Sequence, residues 1–140
     1  MVNIFYEETE ILDLDPEFFV SWFHRTCAVH EVVLGEINLI FCSDDFLLDI
    51  NREHLKHDYY TDIITFNYNE NNVSGDLFIS VDRIKENSSH YKVDFINELH
   101  RVVIHGVLHL IGFNDKTPDE EAEMREEEEK GLRLIVSRET

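Results

Sequence analysis

Apolar positions along the chain switch between a two-residue and a three-to-four-residue period, and the switches lay out the elements. Residues 2–6, V-N-I-F-Y, are β-branched and aromatic and predict a first strand. Asp13-Leu14-Asp15-Pro16 then signals a helix start, with Asp15 as N-cap and Pro16 at the first helical position. Phe19, Trp22, Phe23 and Cys27 recur at helical spacing up to about His30 and mark a core stripe. After Gly35, E-I-N-L-I-F-C predicts a second strand. Ser43-Asp44-Asp45 caps a helix whose inner face is Phe46, Leu47 and Ile50, fading near His54.

Residues 54–60, H-L-K-H-D-Y-Y, read as a loop. Residues 61–66, T-D-I-I-T-F, are β-branched at four of six positions and predict a third strand. Asn69 to Ser74 is turn chemistry, and residues 75–80 predict a fourth strand. The short link between the third and fourth strands predicts an antiparallel hairpin, and the helical links between earlier strands predict parallel crossovers. Asp82 to Asn87 is a helical turn. A long helix follows over 93–111, apolar nearly all round from Val102 to Ile111 except at His105, Gly106 and His109. Gly106 lowers helix propensity and leaves room for a close neighbour. Thr117-Pro118-Asp119-Glu120 is a capping box opening a last helix to about Leu134, with a thin stripe of Met124, Gly131, Leu132 and Ile135. The pattern predicts an α/β (α+β) fold over residues 1–140 as a single domain, a small mixed four-stranded sheet with helices packed around a central His-bearing helix.

At 140 residues the chain can bury a core without disulfides or metal staples. Cys27 and Cys42 make no disulfide framework and read as small buried residues, which suits a reducing cytoplasm. The N-terminus has no basic region and no apolar core of a signal peptide, and no run approaches the ~20 apolar residues of a membrane span. The net charge is −18, with nine acids against Lys116 and Arg125 between Asp115 and Glu129. That segment reads as a solvated acidic face, and such a charge opposes indiscriminate binding to nucleic acid.

The chemistry concentrates in residues 98–115, E-L-H-R-V-V-I-H-G-V-L-H-L-I-G-F-N-D. His105 and His109 are one helical turn apart, so their rings share a face. Gly112 ends the helix, and Asp115 arrives in the turn beyond it, within reach of the pair. Two imidazoles and a carboxylate suit a catalytic Zn²⁺ with an open position, and would accept Fe²⁺, Mn²⁺ or Ni²⁺. Such an ion lowers the pKa of its water toward ~7. The alternative is two imidazoles hydrogen-bonded within a core. Gly106 stands where the zinc proteases place their general-base Glu, which removes that mechanism. Glu98, seven residues before His105 on the same face, is either an outer partner of the ligands or a helix-start carboxylate. His24 and His30 read as surface or hydrogen-bonded histidines.

The block H-G-V-L-H-L-I-G-F-N-D resembles the H-G-x-L-H-L-x-G-Y-D-H signature of the YbeY family, bacterial metal-dependent endoribonucleases of ribosomal RNA maturation. I-N-R-E-H-L-K-H-D-Y-Y-T-D-I-I-T-F resembles that family's L-N-x-x-y-R-x-x-D-x-x-T-D-V-L-S-F stretch, and S-G-D-L-F-I-S resembles its L-G-D-I-x-I strand. The resemblance implies a single zinc ion held by His105, His109 and Asp115, and hydrolysis of single-stranded RNA by metal-activated water. It further implies action on small-subunit (16S) ribosomal RNA in maturation and ribosome quality control, beside small-subunit proteins and away from membranes. Two positions depart from the pattern. Asp115 replaces the family's third His, and Leu55 replaces an Arg suited to holding phosphate. Arg52, His54, Lys56 and His57 are the nearby cationic or potentially cationic groups, and Lys56, then Arg52, are the first expected to take over that contact. Two other readings stay open: a ribosome-assembly factor with a mainly structural metal, and a metallohydrolase of another substrate.

Overall fold

The computed structural model describes residues 1–68 and 71–135. The chain runs β1 (Val2–Glu7), α1 (Pro16–Val29), β2 (Leu34–Cys42), α2 (Asp44–His54), β3 (Ile63–Asn67), β4 (Val73–Ser80), α3 (Val81–Tyr91), α4 (Phe95–Ile111) and α5 (Pro118–Leu132). The strands form one mixed sheet in the order β1-β2-β4-β3. β1 and β2 pair in parallel, as their helical link requires, and β3 and β4 pair antiparallel as the expected hairpin. The second helical link does not produce a parallel neighbour. β2 pairs in parallel with β4, and β3 lies beyond β4 at the edge, running the opposite way. The reason is burial: β4 buries Val73, Gly75, Leu77 and Ile79 on one face and half-buries Phe78 on the other, which suits an interior strand.

The caps are those the sequence signals. Asp15 accepts from the Glu17 N–H, Ser43 from Phe46, and Thr117 and Glu120 form a reciprocal capping box. α3 is a helix of 11 residues rather than a turn, because Ser80 caps it and Ile84 and Ser88 turn inward one helical turn apart. The turn read over 69–74 lies partly outside the described residues, and its last two positions belong to β4.

One face of the sheet carries the main core. Phe19, Trp22 and Phe23 of α1 and Val102, Val103, Ile104, Val107 and Leu108 of α4 pack on Ile37, Leu39, Phe41, Leu77 and Ile79. Trp22 donates its indole N–H to the Gly131 carbonyl at 2.8 Å, tying α1 to α5. The opposite face holds a smaller cluster under α2, built from Cys42, Leu47 and Ile64. Cys27 and Cys42 are buried and free, and burial pushes their thiols up to about 11 and about 12. No helix among the described residues is long and apolar enough to cross a membrane.

α4 crosses the sheet closely. A Cβ at Gly106 would stand 2.6 Å from Ile63 Cδ1 and 3.0 Å from Leu77 Cδ1, so any larger residue would make these side-chain tips shift. Between residues 101 and 110 the helix is buried everywhere except along Arg101, His105 and His109, which recur every fourth residue. That stripe is the one through which α4 meets solvent in this region, and the histidines occupy it.

Candidate metal centre

α4 ends at Gly112, whose φ of 128° reverses the chain. The reversal brings Asp115 back over the helix. Its Oδ2 lies 3.2 Å from His105 Nε2 and 3.4 Å from His109 Nε2, and the two Nε2 atoms are 3.0 Å apart. A tetrahedral ion with bonds of about 2.0–2.1 Å would space its ligand atoms by about 3.3 Å. The triangle therefore has the right size for one small cation, and these three residues form the group among those described that could hold one.

The outward ring nitrogens are already committed. His109 Nδ1 donates to the Phe113 carbonyl at 3.0 Å, and a carbonyl can only accept. His105 Nδ1 donates to Glu128 Oε2 at 2.6 Å. When both rings are neutral their protons therefore reside on Nδ1, and both Nε2 atoms present lone pairs to each other and to a carboxylate. Three electron-rich atoms at 3.0–3.4 Å require a cation between them, either a proton or a metal ion.

Glu128 is the contact of the candidate site that the sequence does not signal. It belongs to α5 and is only 8% exposed, and its other oxygen accepts from Arg101 at 3.2 Å. Arg101, Glu128 and His105 thus form a chain of charge-assisted bonds ending at the cluster. Glu98, the candidate outer partner, is buried beside Asn97, His100 and Arg101 in a separate cavity, and burial raises its carboxyl pKa. His24 is exposed, and His30 lies 3.6 Å from Glu127.

A family model described as Endoribonuclease YbeY matches residues 6–135. The chain belongs to the YbeY endoribonuclease family. An endoribonuclease YbeY of Phocaeicola vulgatus is 46% identical over 136 residues, covering 96% of this chain and 99% of the relative. One of Parabacteroides distasonis is 42% identical, with 96% and 95% covered. The fold matches a solution structure of a Thermotoga maritima protein with a TM-score of 0.65 and 25% identity, over 96% of this chain and 89% of that one.

The YbeY signature maps onto one wall of an open cleft of about 380 Å³, lined there by His105, His109 and Asp115. β3 and the residues before it, Thr61 to Thr65, contribute another part of the lining, and burial raises the Asp62 carboxyl pKa against the pull of His105. Asn51, Leu55, His57 and Tyr59 supply the rest. Leu55 therefore faces the cleft. Lys56 and Arg52 are not among the lining residues. Lys56 is exposed with a left-handed backbone, and Arg52 pairs with Asp58 at 2.6 Å.

Burial pulls the His105 pKa down, but Glu128, Asp115 and Asp62 together outweigh it and the net shift is upward. Protonated His105 thus stabilises the metal-free fold. Its contribution is complete below the ordinary histidine value of about 6.5 and is lost as pH rises through the raised value. A bound metal displaces the proton and reverses the trend. In melts from about pH 5.5 to 8.5 with chelator, the Tm advantage of wild type over His105→Ala is expected to shrink as pH rises. With added Zn²⁺ it is expected to grow.

Proposed function

We propose that the chain is a metal-dependent endoribonuclease that cleaves single-stranded RNA by hydrolysis in the maturation of small-subunit ribosomal RNA. The observation that carries this reading is the convergence of His105 Nε2, His109 Nε2 and Asp115 Oδ2 in a cleft, with both outward ring nitrogens already engaged. The donor set fits one Zn²⁺ and also suits Fe²⁺, Mn²⁺ or Ni²⁺. When bound, a divalent ion there supplies Lewis acidity toward a phosphoryl oxygen and a water of lowered pKa.

The chain's own residues set the conditions for that chemistry. Glu128 and the Phe113 carbonyl hold the two rings in the tautomer that leaves Nε2 free. Asp115 adds one negative charge to the ligand set where the family signature has a neutral ring. Asp62, with its raised pKa, holds a proton at higher pH than an ordinary carboxylate. Lys56 and Arg52, each adjacent in sequence to a cleft residue, are the proposed contacts for phosphates beyond the cleft. With a net charge of −18 the chain repels RNA at long range, which supports delivery of the strand by ribosomal RNA structure and small-subunit proteins in the cytoplasm during maturation and quality control.

Purified protein is expected to cleave a single-stranded RNA in a reaction that stops with chelator and resumes with added Zn²⁺. Cleavage that ignores the chelator would overturn the hydrolytic role of the metal.

A further inference from the structure

The cleft has an unusual lining for an RNA site. None of its twelve lining residues is Lys or Arg, and two, Asp62 and Asp115, are acidic. Phosphate neutralisation by Lys or Arg, the ordinary source of affinity for RNA, is therefore absent from this lining. The wall opposite in composition is made of rings and an aliphatic side chain. His57 and Tyr59 lie nearly parallel, with centroids 5.2 Å apart and planes inclined by 19°. The Tyr59 hydroxyl is hydrogen-bonded to His57 Nδ1 at 3.0 Å, which fixes one ring on the other. Tyr59 is 55% exposed and Leu55 40%, although both are large side chains that proteins usually cover.

This wall is held in place from beneath. Buried Asn51 receives the Leu55 and His57 N–H groups on its carbonyl at 3.2 and 3.0 Å, and donates its side-chain amide to the Tyr59 carbonyl at 2.8 Å. This three-point anchor on the loop backbone lowers the ordering cost of binding. The neighbouring Tyr60 is turned to other work: its hydroxyl donates to Asp45 at 3.1 Å, and the Arg83 guanidinium lies 5.7 Å from its ring centre.

We infer that Leu55, His57 and Tyr59 form a stacking platform that seats one nucleobase of a single-stranded RNA beside the scissile phosphate. The inference rests on the endoribonuclease reading above and specifies how its substrate is held. Unpaired bases offer an apolar face to such a platform and paired ones do not, so the platform also supplies the preference for single strands. Leu55 then belongs to the same device. An arginine there would grip phosphate, and a leucine extends the surface under a base.

The test uses the metal-loaded full chain as wild type, Tyr59→Ala and Tyr59→Phe. Cleavage of a short single-stranded RNA is measured alongside quenching of a phosphorothioate RNA containing 2-aminopurine. Tyr59→Ala is expected to raise KM about tenfold with kcat little changed, and to abolish the quenching seen with wild type. Tyr59→Phe keeps the ring and loses only the hydroxyl bond to His57, and is expected to recover most of both. Equal KM and equal quenching in wild type and Tyr59→Ala would overturn the platform and leave the nuclease standing. The same holds for a KM rise in Tyr59→Ala when wild type itself shows no quenching, which would assign the loop to another kind of contact. If wild type cleaves no RNA, the nuclease reading falls, and the presence or absence of Tyr59-dependent quenching decides the platform alone.

Discussion

A His105→Ala/His109→Ala chain is expected to fold, to bind no metal and to lose at least about a thousandfold in RNA cleavage. The magnitude follows from a metal's transition-state stabilisation of several kcal/mol, at about 1.4 kcal/mol per tenfold in rate. The fold survives because both rings sit on the one open stripe of α4, each between a fifth and a quarter exposed. Glu128, left without His105, keeps Arg101 at 3.2 Å and does not become an isolated buried charge. The measurements are metal content by mass spectrometry, the RNA cleavage rate, and thermal melting with and without chelator. Wild type is expected to lose Tm when the chelator removes its ion, since a ligand of the folded state alone stabilises it. The double variant is expected to melt at one temperature under both conditions. Full metal content in the double variant would place the ion elsewhere and remove the basis of the proposed mechanism.

What made these candidate ligands legible in the sequence is their conflict with their surroundings. An apolar helix tolerates an imidazole poorly, and two of them four residues apart specify a shared face and a shared partner. Gly112 and the strong Thr117 cap then fix where the chain must turn, which places Asp115. The sheet was readable for the same local reasons where a connection was short, as between β3 and β4. It was less readable where the choice of neighbour depended on burial across the whole sheet. β3 and β2 are joined through a helix, yet β4 separates them, and no local signal in β3 announces an edge position.

Glu128 shows a different kind of failure. It is one of four consecutive glutamates, and a run of like charges reads as a solvated face. Helical phase separates them. Met124, Glu128 and Gly131 are the buried positions of α5, spaced by four and three residues. Met124 and Gly131 were visible as an inward stripe, and the same spacing carries Glu128 inward between them. The remaining hidden element is the loop 55–60, whose ring geometry depends on Asn51 beneath it and on no periodicity at all.

Replacing Glu128 by glutamine is expected to weaken metal binding by about ten- to a hundredfold while leaving the metal-free fold in place. Both groups that face this carboxylate, the Arg101 guanidinium and His105 Nδ1–H, are donors. A carboxylate serves both with its two acceptor oxygens. An amide of the same shape has one acceptor, and its NH₂ must then face a donor. If the amide serves Arg101, His105 is driven to carry its proton on Nε2, where the lone pair for the metal should be. If it serves His105, Arg101 loses a partner in a half-buried site. Glu129→Gln is the matched control. It changes the charge by the same amount one residue along, and Glu129 meets Arg101 at 2.9 Å from a more exposed position without reaching either histidine. Competition with a chromogenic chelator measures the affinity of each variant. A large loss for Glu128→Gln with none for Glu129→Gln assigns the effect to the tautomer of His105. Equal small losses would assign it to overall charge, and α5 would then have no part in building the site.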